Sequence, residues 1–75
     1  MCRYRFERHK YNLPEVGDYY SYRIGFYPEE PNGPPLKVIE DVSMDFDFAR
    51  RLTDLLNQCE VHLCHFMDIV EDALL

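Results

Sequence analysis

Apolar and polar positions alternate at the start of the chain. Over residues 2–11, Cys2, Tyr4 and Phe6 point one way at first, and Arg3, Arg5 and Glu7 the other. That is the period of a strand with one buried face. The stretch Asn12-Leu13-Pro14-Glu15-Val16-Gly17-Asp18 breaks the alternation with turn-forming residues. Residues 19–27 give the clearest strand. Tyr20, Tyr22, Ile24 and Phe26 share one face, while Tyr19, Ser21, Arg23, Gly25 and Tyr27 share the other. Aromatic and β-branched side chains suit such a pleated surface. Gly25 marks a bulge or a close contact with another backbone. Residues 28–35 carry four prolines and the turn dipeptide Asn32-Gly33, which reads as a loop. Residues 36–42 follow as a third strand, so strands 2 and 3 form a long antiparallel hairpin.

The period then changes. Phe48, Ala49, Leu52, Leu55, Leu56 and Cys59 recur at three- and four-residue spacing, predicting an amphipathic helix over 46–58. Asp45 is placed to accept from the free N–H groups of its first turn, and Asp47 favours the positive end of its dipole. A break near Glu60-Val61-His62 leads to a second helix over 63–74, with Phe66, Ile69, Val70, Ala73 and Leu74 as its apolar stripe. Two such helices joined by a short turn are expected to pack antiparallel and to bury their stripes on the apolar face of the sheet. The prediction is one α+β domain over 1–75, in which a three-stranded antiparallel sheet is covered by two C-terminal helices. The order is β-β-β-α-α in two layers.

Composition sharpens this picture. With 75 residues the core is thin, since a domain of this size buries only about 60% of the surface its unfolded chain exposes. Six Tyr and five Phe supply large apolar areas to fill it. The net charge of -6 repels a phosphate backbone from the chain as a whole. The charge is uneven: Arg3, Arg5, Arg8 and Lys10 stand against Glu7 alone, whereas nine acids lie between Glu40 and Asp72. Three cysteines, Cys2, Cys59 and Cys64, cannot all pair within one chain. With no secretory signal ahead of them they read as reduced thiols in a cytoplasm, in a small acidic protein. No run is long enough to span a membrane.

Candidate chemistry is sparse. Cys59, His62, Cys64 and His65 carry zinc-binding atoms, but helical spacing aims Cys64 and His65 about 100° apart. No metal or cofactor is therefore expected. Cys59 and Cys64 read instead as small buried apolar residues, with His62 at the helix start and His65 making a local first-turn hydrogen bond. Ser21, Ser43 and Thr53 are the only hydroxyl nucleophiles besides tyrosine, and the three glycines are too dispersed for a phosphate loop. A two-layer domain this small is expected to leave little room for a pocket, so no enzyme activity is expected. Arg3, Arg5, Tyr19, Arg23 and Tyr27 are candidates for the sheet face away from the helices. There they could stack on single-stranded bases or meet a protein.

The ending of the chain carries a resemblance. Ile39-Glu40-Asp41-Val42-Ser43-Met44-Asp45, a leucine-rich helix, and then residues 65–74, His-Phe-Met-Asp-Ile-Val-Glu-Asp-Ala-Leu, stand in order. This resembles a family of short uncharacterised proteins from clostridia and related Firmicutes, with an I-E-D-I-S-x-D start and a closing H-L-x-D-V-I-E-D-F-L. Tyr20-Ser21-Tyr22-Arg23-Ile24 looks like the tyrosine-containing strand that precedes those motifs. Residues 19–75 follow the pattern and 1–18 follow it poorly. Phe66 replaces a Leu, Ala73 an aromatic, and His62-Leu63 a Ser-Pro. The resemblance implies a genuine domain of unknown function with a characteristic surface at Glu40, Asp41, His65, Asp68, Glu71 and Asp72. The expectation is a non-catalytic protein-interaction or regulatory module with a protein partner, a second copy of itself among the candidates. A single-stranded nucleic-acid binder using the Tyr/Arg sheet face is the alternative.

Overall fold

The computed structural model describes residues 3–28 and 33–75. The expected place of Cys2 on the first strand and the Asn32-Gly33 turn lie outside the described residues. Three strands, β1 (Tyr4–Leu13), β2 (Gly17–Phe26) and β3 (Lys37–Ser43), precede two helices, α1 (Phe46–Gln58) and α2 (Leu63–Leu74). The sheet is antiparallel in the order β1-β2-β3. This is the β-β-β-α-α arrangement that the change of hydrophobic period predicts.

The first hairpin runs further than the turn residues suggest. Pairing continues from Tyr4↔Phe26 out to Asn12↔Asp18 and Leu13↔Gly17. Asn12 and Asp18 act as a cross-strand pair, with the Asn12 amide donating to the Asp18 carboxylate at 2.6 Å. Val16 N–H closes the turn on the Leu13 carbonyl at 3.1 Å, and Gly17 takes φ +87, which a side chain would oppose. Gly25 is neither a bulge nor a contact with another backbone: it pairs regularly with Arg5 and Val38, and a Cβ there would meet the side-chain ring of Tyr27 at 3.0 Å.

The bulge lies in β3. Ile24 pairs with Ile39 and Tyr22 with Ser43, so Arg23 alone faces Glu40, Asp41 and Val42. Asp41 takes φ 52 at this point. Regular alternation from the inward Ile39 would send Asp41 into the core and Val42 to the far side. The bulge reverses both, leaving Asp41 exposed and Val42 buried.

Both helices cover one side of the sheet. Tyr4, Ile24, Phe26 and Val42 meet Leu52 and Leu56 of α1 and Phe66 and Val70 of α2. The Tyr4 ring sits edge-on to Phe26 at 5.1 Å and to Phe66 at 4.8 Å. The buried stripe of α1 is Ala49, Leu52, Thr53 and Leu56. Leu55 stays exposed because Thr53 takes an inward position, its hydroxyl satisfied by the Ala49 carbonyl at 2.7 Å. Cys59 and Cys64 are both exposed, against the expectation of buried thiols. Cys59 caps α1 past its last buried turn, and Cys64 lies across α2 from Phe66. Ala73 and Leu74 are exposed too, so the buried part of the α2 stripe ends at Val70.

The helix ends show their chemistry. Asp45 accepts from Asp47 N–H at 2.9 Å and Phe48 N–H at 3.4 Å, as its position predicts. At the other end, Val61 N–H returns to the Leu56 carbonyl and Glu60 N–H to the Asn57 carbonyl, the paired bonds of a Schellman cap. That cap needs a left-handed residue, and Glu60 supplies it at φ 49. Glycine is the usual occupant, and a carboxylate also opposes the negative end of the helix dipole. Glu60→Gly is therefore expected to stabilise the fold by about 1 kcal/mol, roughly 4–8 °C in Tm for a domain of this size. Thermal melting followed by circular dichroism checks it.

Candidate functional site

The side of the sheet away from the helices bears the odd-numbered residues of β1 and β2. Among these, Tyr11 and Tyr19 stack with ring centres 5.6 Å apart. Their hydroxyls reach back to the bulge: Tyr11 donates to Glu40 at 2.5 Å and Tyr19 to Asp41 at 2.6 Å. The bulge leaves Asp41 N–H without a ladder partner, and the Tyr11 oxygen accepts from it at 3.0 Å. Arg23 lies between Glu7 at 3.3 Å and Glu40 at 3.5 Å. Further along, the Arg5 guanidinium sits 4.6 Å from the centre of the Tyr27 ring. His9 meets Tyr11 edge-on at 4.9 Å.

The electrostatics follow the contacts. Partial burial and the bond to Glu40 push the Tyr11 hydroxyl up to about 12. Tyr19 is raised by its bond to Asp41, and the Asp41 carboxyl is lowered chiefly by that same bond. The nearby Ser21 hydroxyl also favours the Asp41 charge, although Ser21 Oγ is fully buried and falls outside hydrogen-bonding geometry with any described residue. Partial burial works against the Arg23 charge, but Glu7 and Glu40 outweigh it and raise its pKa.

A stability consequence follows for alkaline solution. Tyr11 is protonated in both folded and unfolded chains below its ordinary value of 10.0, so its contribution is complete there. Between that value and about 12 the unfolded chain loses the proton first, and the contribution is lost. Urea midpoints should fall across this interval, and Tyr11→Phe should flatten the fall. An unchanged slope in the variant would assign the effect to another group.

Of the residues expected on this face, Arg5, Tyr19, Arg23 and Tyr27 are here. Arg3 is not: its guanidinium lies 5.8 Å from the ring of Phe26, on the helix side. The surface implied by the family resemblance is divided. Glu40 and Asp41 join the tyrosines on the uncovered side, whereas His65, Asp68, Glu71 and Asp72 are exposed on α2, which packs against the opposite side. His65 N–H bonds locally to the His62 carbonyl at 2.9 Å, through backbone rather than imidazole. Tyr11 is the functional-face residue that sequence reasoning omits. Its odd position beside Arg5 and Glu7 on β1 carried the signal.

A pocket is present, contrary to the expectation for so small a domain. It has a volume of about 390 Å³ and opens between the start of β1 and the α1–α2 connection, lined by Arg3, Phe26, Leu56, Glu60 and His62 among others. Its central polar groups are engaged in holding the fold. Asn57 bonds the Arg3 and Tyr4 backbone, and the Tyr4 hydroxyl donates to the Val61 carbonyl at 2.6 Å. No Ser, Thr or Cys is among its described lining residues. Among the described residues no three His, Cys, Asp or Glu side chains stand close enough to share a metal ion. No described helix is long and apolar enough to cross a membrane. Comparison with protein families, with curated proteins and with solved structures finds no match to this chain.

Proposed function

We propose that this chain is a small non-catalytic protein-interaction module, and that the uncovered side of its sheet meets a protein partner. The observation that carries this reading is the locked Tyr11–Tyr19 pair, stacked on a side no described helix covers and tied by both hydroxyls to Glu40 and Asp41. Rings and guanidinium groups held in place before contact lose little side-chain freedom on binding, which is what anchoring residues of an interface require. Arg5 on Tyr27 and Arg23 between two carboxylates extend the same ordered surface.

Site-specific photocrosslinking in the source cell tests it. A photoreactive phenylalanine analogue in place of Tyr27 should trap one discrete protein, and the same analogue in place of Glu71 on α2 should not. Adducts from α2 alone, or none from the sheet, overturn the reading. Light scattering of the pure protein at high micromolar concentration shows whether that partner is a second copy.

The nucleic-acid alternative is favoured by one observation, the arginine stacked on tyrosine over an open sheet. Glu7, Glu40 and Asp41 on the same side work against it. It predicts oligonucleotide binding that weakens steeply with salt, and the absence of binding at low salt removes it.

A further inference from the structure

We infer that the partner joins this module as an acidic extended segment, laid as a fourth strand along the outer edge of β1 at Phe6, Arg8, Lys10 and Asn12. This rests on the protein-interaction reading above and names the chemistry of the contact. The Arg3 carbonyl accepts from Tyr27 N–H, so it points toward β2. At Tyr4 both N–H and C=O point outward, to the side chain of Asn57. In an antiparallel ladder that direction alternates. The backbone groups of Phe6, Arg8, Lys10 and Asn12 therefore face outward as well, and no described residue bonds them.

Asn57 shows what the edge accepts. Its amide takes the Tyr4 N–H at 2.8 Å and donates to the Tyr4 carbonyl at 3.0 Å, as a residue of a neighbouring strand would. Beyond it β1 runs to Leu13 without proline or bulge. The opposite edge is protected, because β3 carries the Asp41 bulge and follows Pro34-Pro35. An edge of this length without proline or bulge can take an added strand, and the charges on it then decide which strand.

Charge selects the occupant. Arg5 and Arg8 project from opposite faces of β1, each over a tyrosine ring, Tyr27 just past β2 at 4.6 Å and Tyr20 of β2 at 4.7 Å. Neither is paired with a carboxylate of a described residue, in a chain of net charge -6. A second copy fits poorly. Antiparallel self-pairing centred on Arg8 sets Arg8 against Arg8, and moving the centre to His9 sets Arg8 against Lys10. Centring on Glu7 sets Glu7 against Glu7, and like charges directly opposite repel. A strand rich in Asp or Glu meets cations on both faces.

The experiment is amide hydrogen exchange by NMR on the full chain, alone and with a blocked heptapeptide of alternating Glu and Val. In the free protein the amides of Arg5, Glu7, His9 and Tyr11 exchange slowly and those of Phe6, Arg8, Lys10 and Asn12 quickly. The peptide should slow the second set about tenfold and leave the first unchanged, a pattern particular to strand addition. Arg8→Glu should weaken binding about tenfold. Arg8→Pro should abolish it, since the lost N–H is one the β1–β2 ladder does not use. If Arg8→Pro fails to fold, Arg8→Glu carries the test. An acidic peptide that slows none of these amides overturns the inference, as does equal slowing by a Lys-Val peptide or by raising the protein concentration alone. A Tyr27 adduct that survives those results leaves the interaction module standing with a different contact. Slowing by the acidic peptide with no adduct from the sheet face supports the edge and removes the face.

Discussion

Phe66→Ala should cost about 3–5 kcal/mol, a large share of the stability of so small a domain. A domain of 75 residues holds only about 4–11 kcal/mol in total, so this one truncation removes much of what there is. Phe66 is fully buried at the centre of the core, where α2 meets the sheet. Its ring stands edge-on to Tyr4, whose other neighbour is Phe26. Removing it empties the space between β1 and α2 and takes away a ring contact worth about 1 kcal/mol beyond the area it buries. Relaxation offers little relief, because Tyr4 cannot follow into the void without releasing the Val61 carbonyl that its hydroxyl holds. Leu55→Ala is the control, since Leu55 is 48% exposed and should cost within about 0.5 kcal/mol. Urea denaturation of both variants decides the matter. A Phe66→Ala cost below about 1 kcal/mol would mean that α2 does not close over the sheet.

The elements were legible where one period ran without competition. The 3.6-residue recurrence of Phe48, Ala49, Leu52 and Leu56 between the Asp45 cap and Cys59 matches α1, and the Phe66–Val70 spacing matches α2. Errors fall where polar groups found partners that the hydrophobic period does not encode. Thr53 reads as polar, yet its hydroxyl is satisfied one turn back and the residue is buried. Asn12 and Asp18 read as turn formers, yet they bond each other and lengthen the hairpin. Period alone cannot find the bulge at Asp41, because its stabilising partner is the hydroxyl of Tyr11, thirty residues earlier. The uncovered face was half visible for the same reason. Alternation placed Arg5, Tyr19, Arg23 and Tyr27 correctly, but pairing with Glu7, Glu40 and Asp41 depends on register, which no local pattern encodes. Sequence order groups Glu40 and Asp41 with the acids of α2, whereas the fold puts the sheet between them.

Asn57→Ala should be the most damaging change to a polar side chain, at about 2–4 kcal/mol. Asn57 lies in the last turn of α1, and its amide oxygen accepts from Arg3 N–H at 3.0 Å and Tyr4 N–H at 2.8 Å. Its nitrogen donates to the Tyr4 carbonyl at 3.0 Å. The alanine variant removes all three of these bonds to the backbone, at the one point where α1 is hydrogen-bonded to the first strand segment among the described residues. The adjoining pocket admits water to part of this site, which keeps the cost below that of three fully buried orphans. Two further variants separate the causes. Asn57→Leu keeps the bulk and loses every bond, so it should cost about as much as alanine if the bonds are what matter. Asn57→Asp keeps the acceptor but turns an oxygen toward the Tyr4 carbonyl and adds negative charge at the helix C-terminus, so it too should destabilise. Exchange of the Tyr4 amide gives the local readout. It should rise in the alanine and leucine variants well before global unfolding, because α1 would then hold β1 through apolar contact alone, and rise less in the aspartate variant, which keeps the acceptor. If Asn57→Leu kept both the stability and the slow Tyr4 amide, packing rather than the amide would be the link between the two layers.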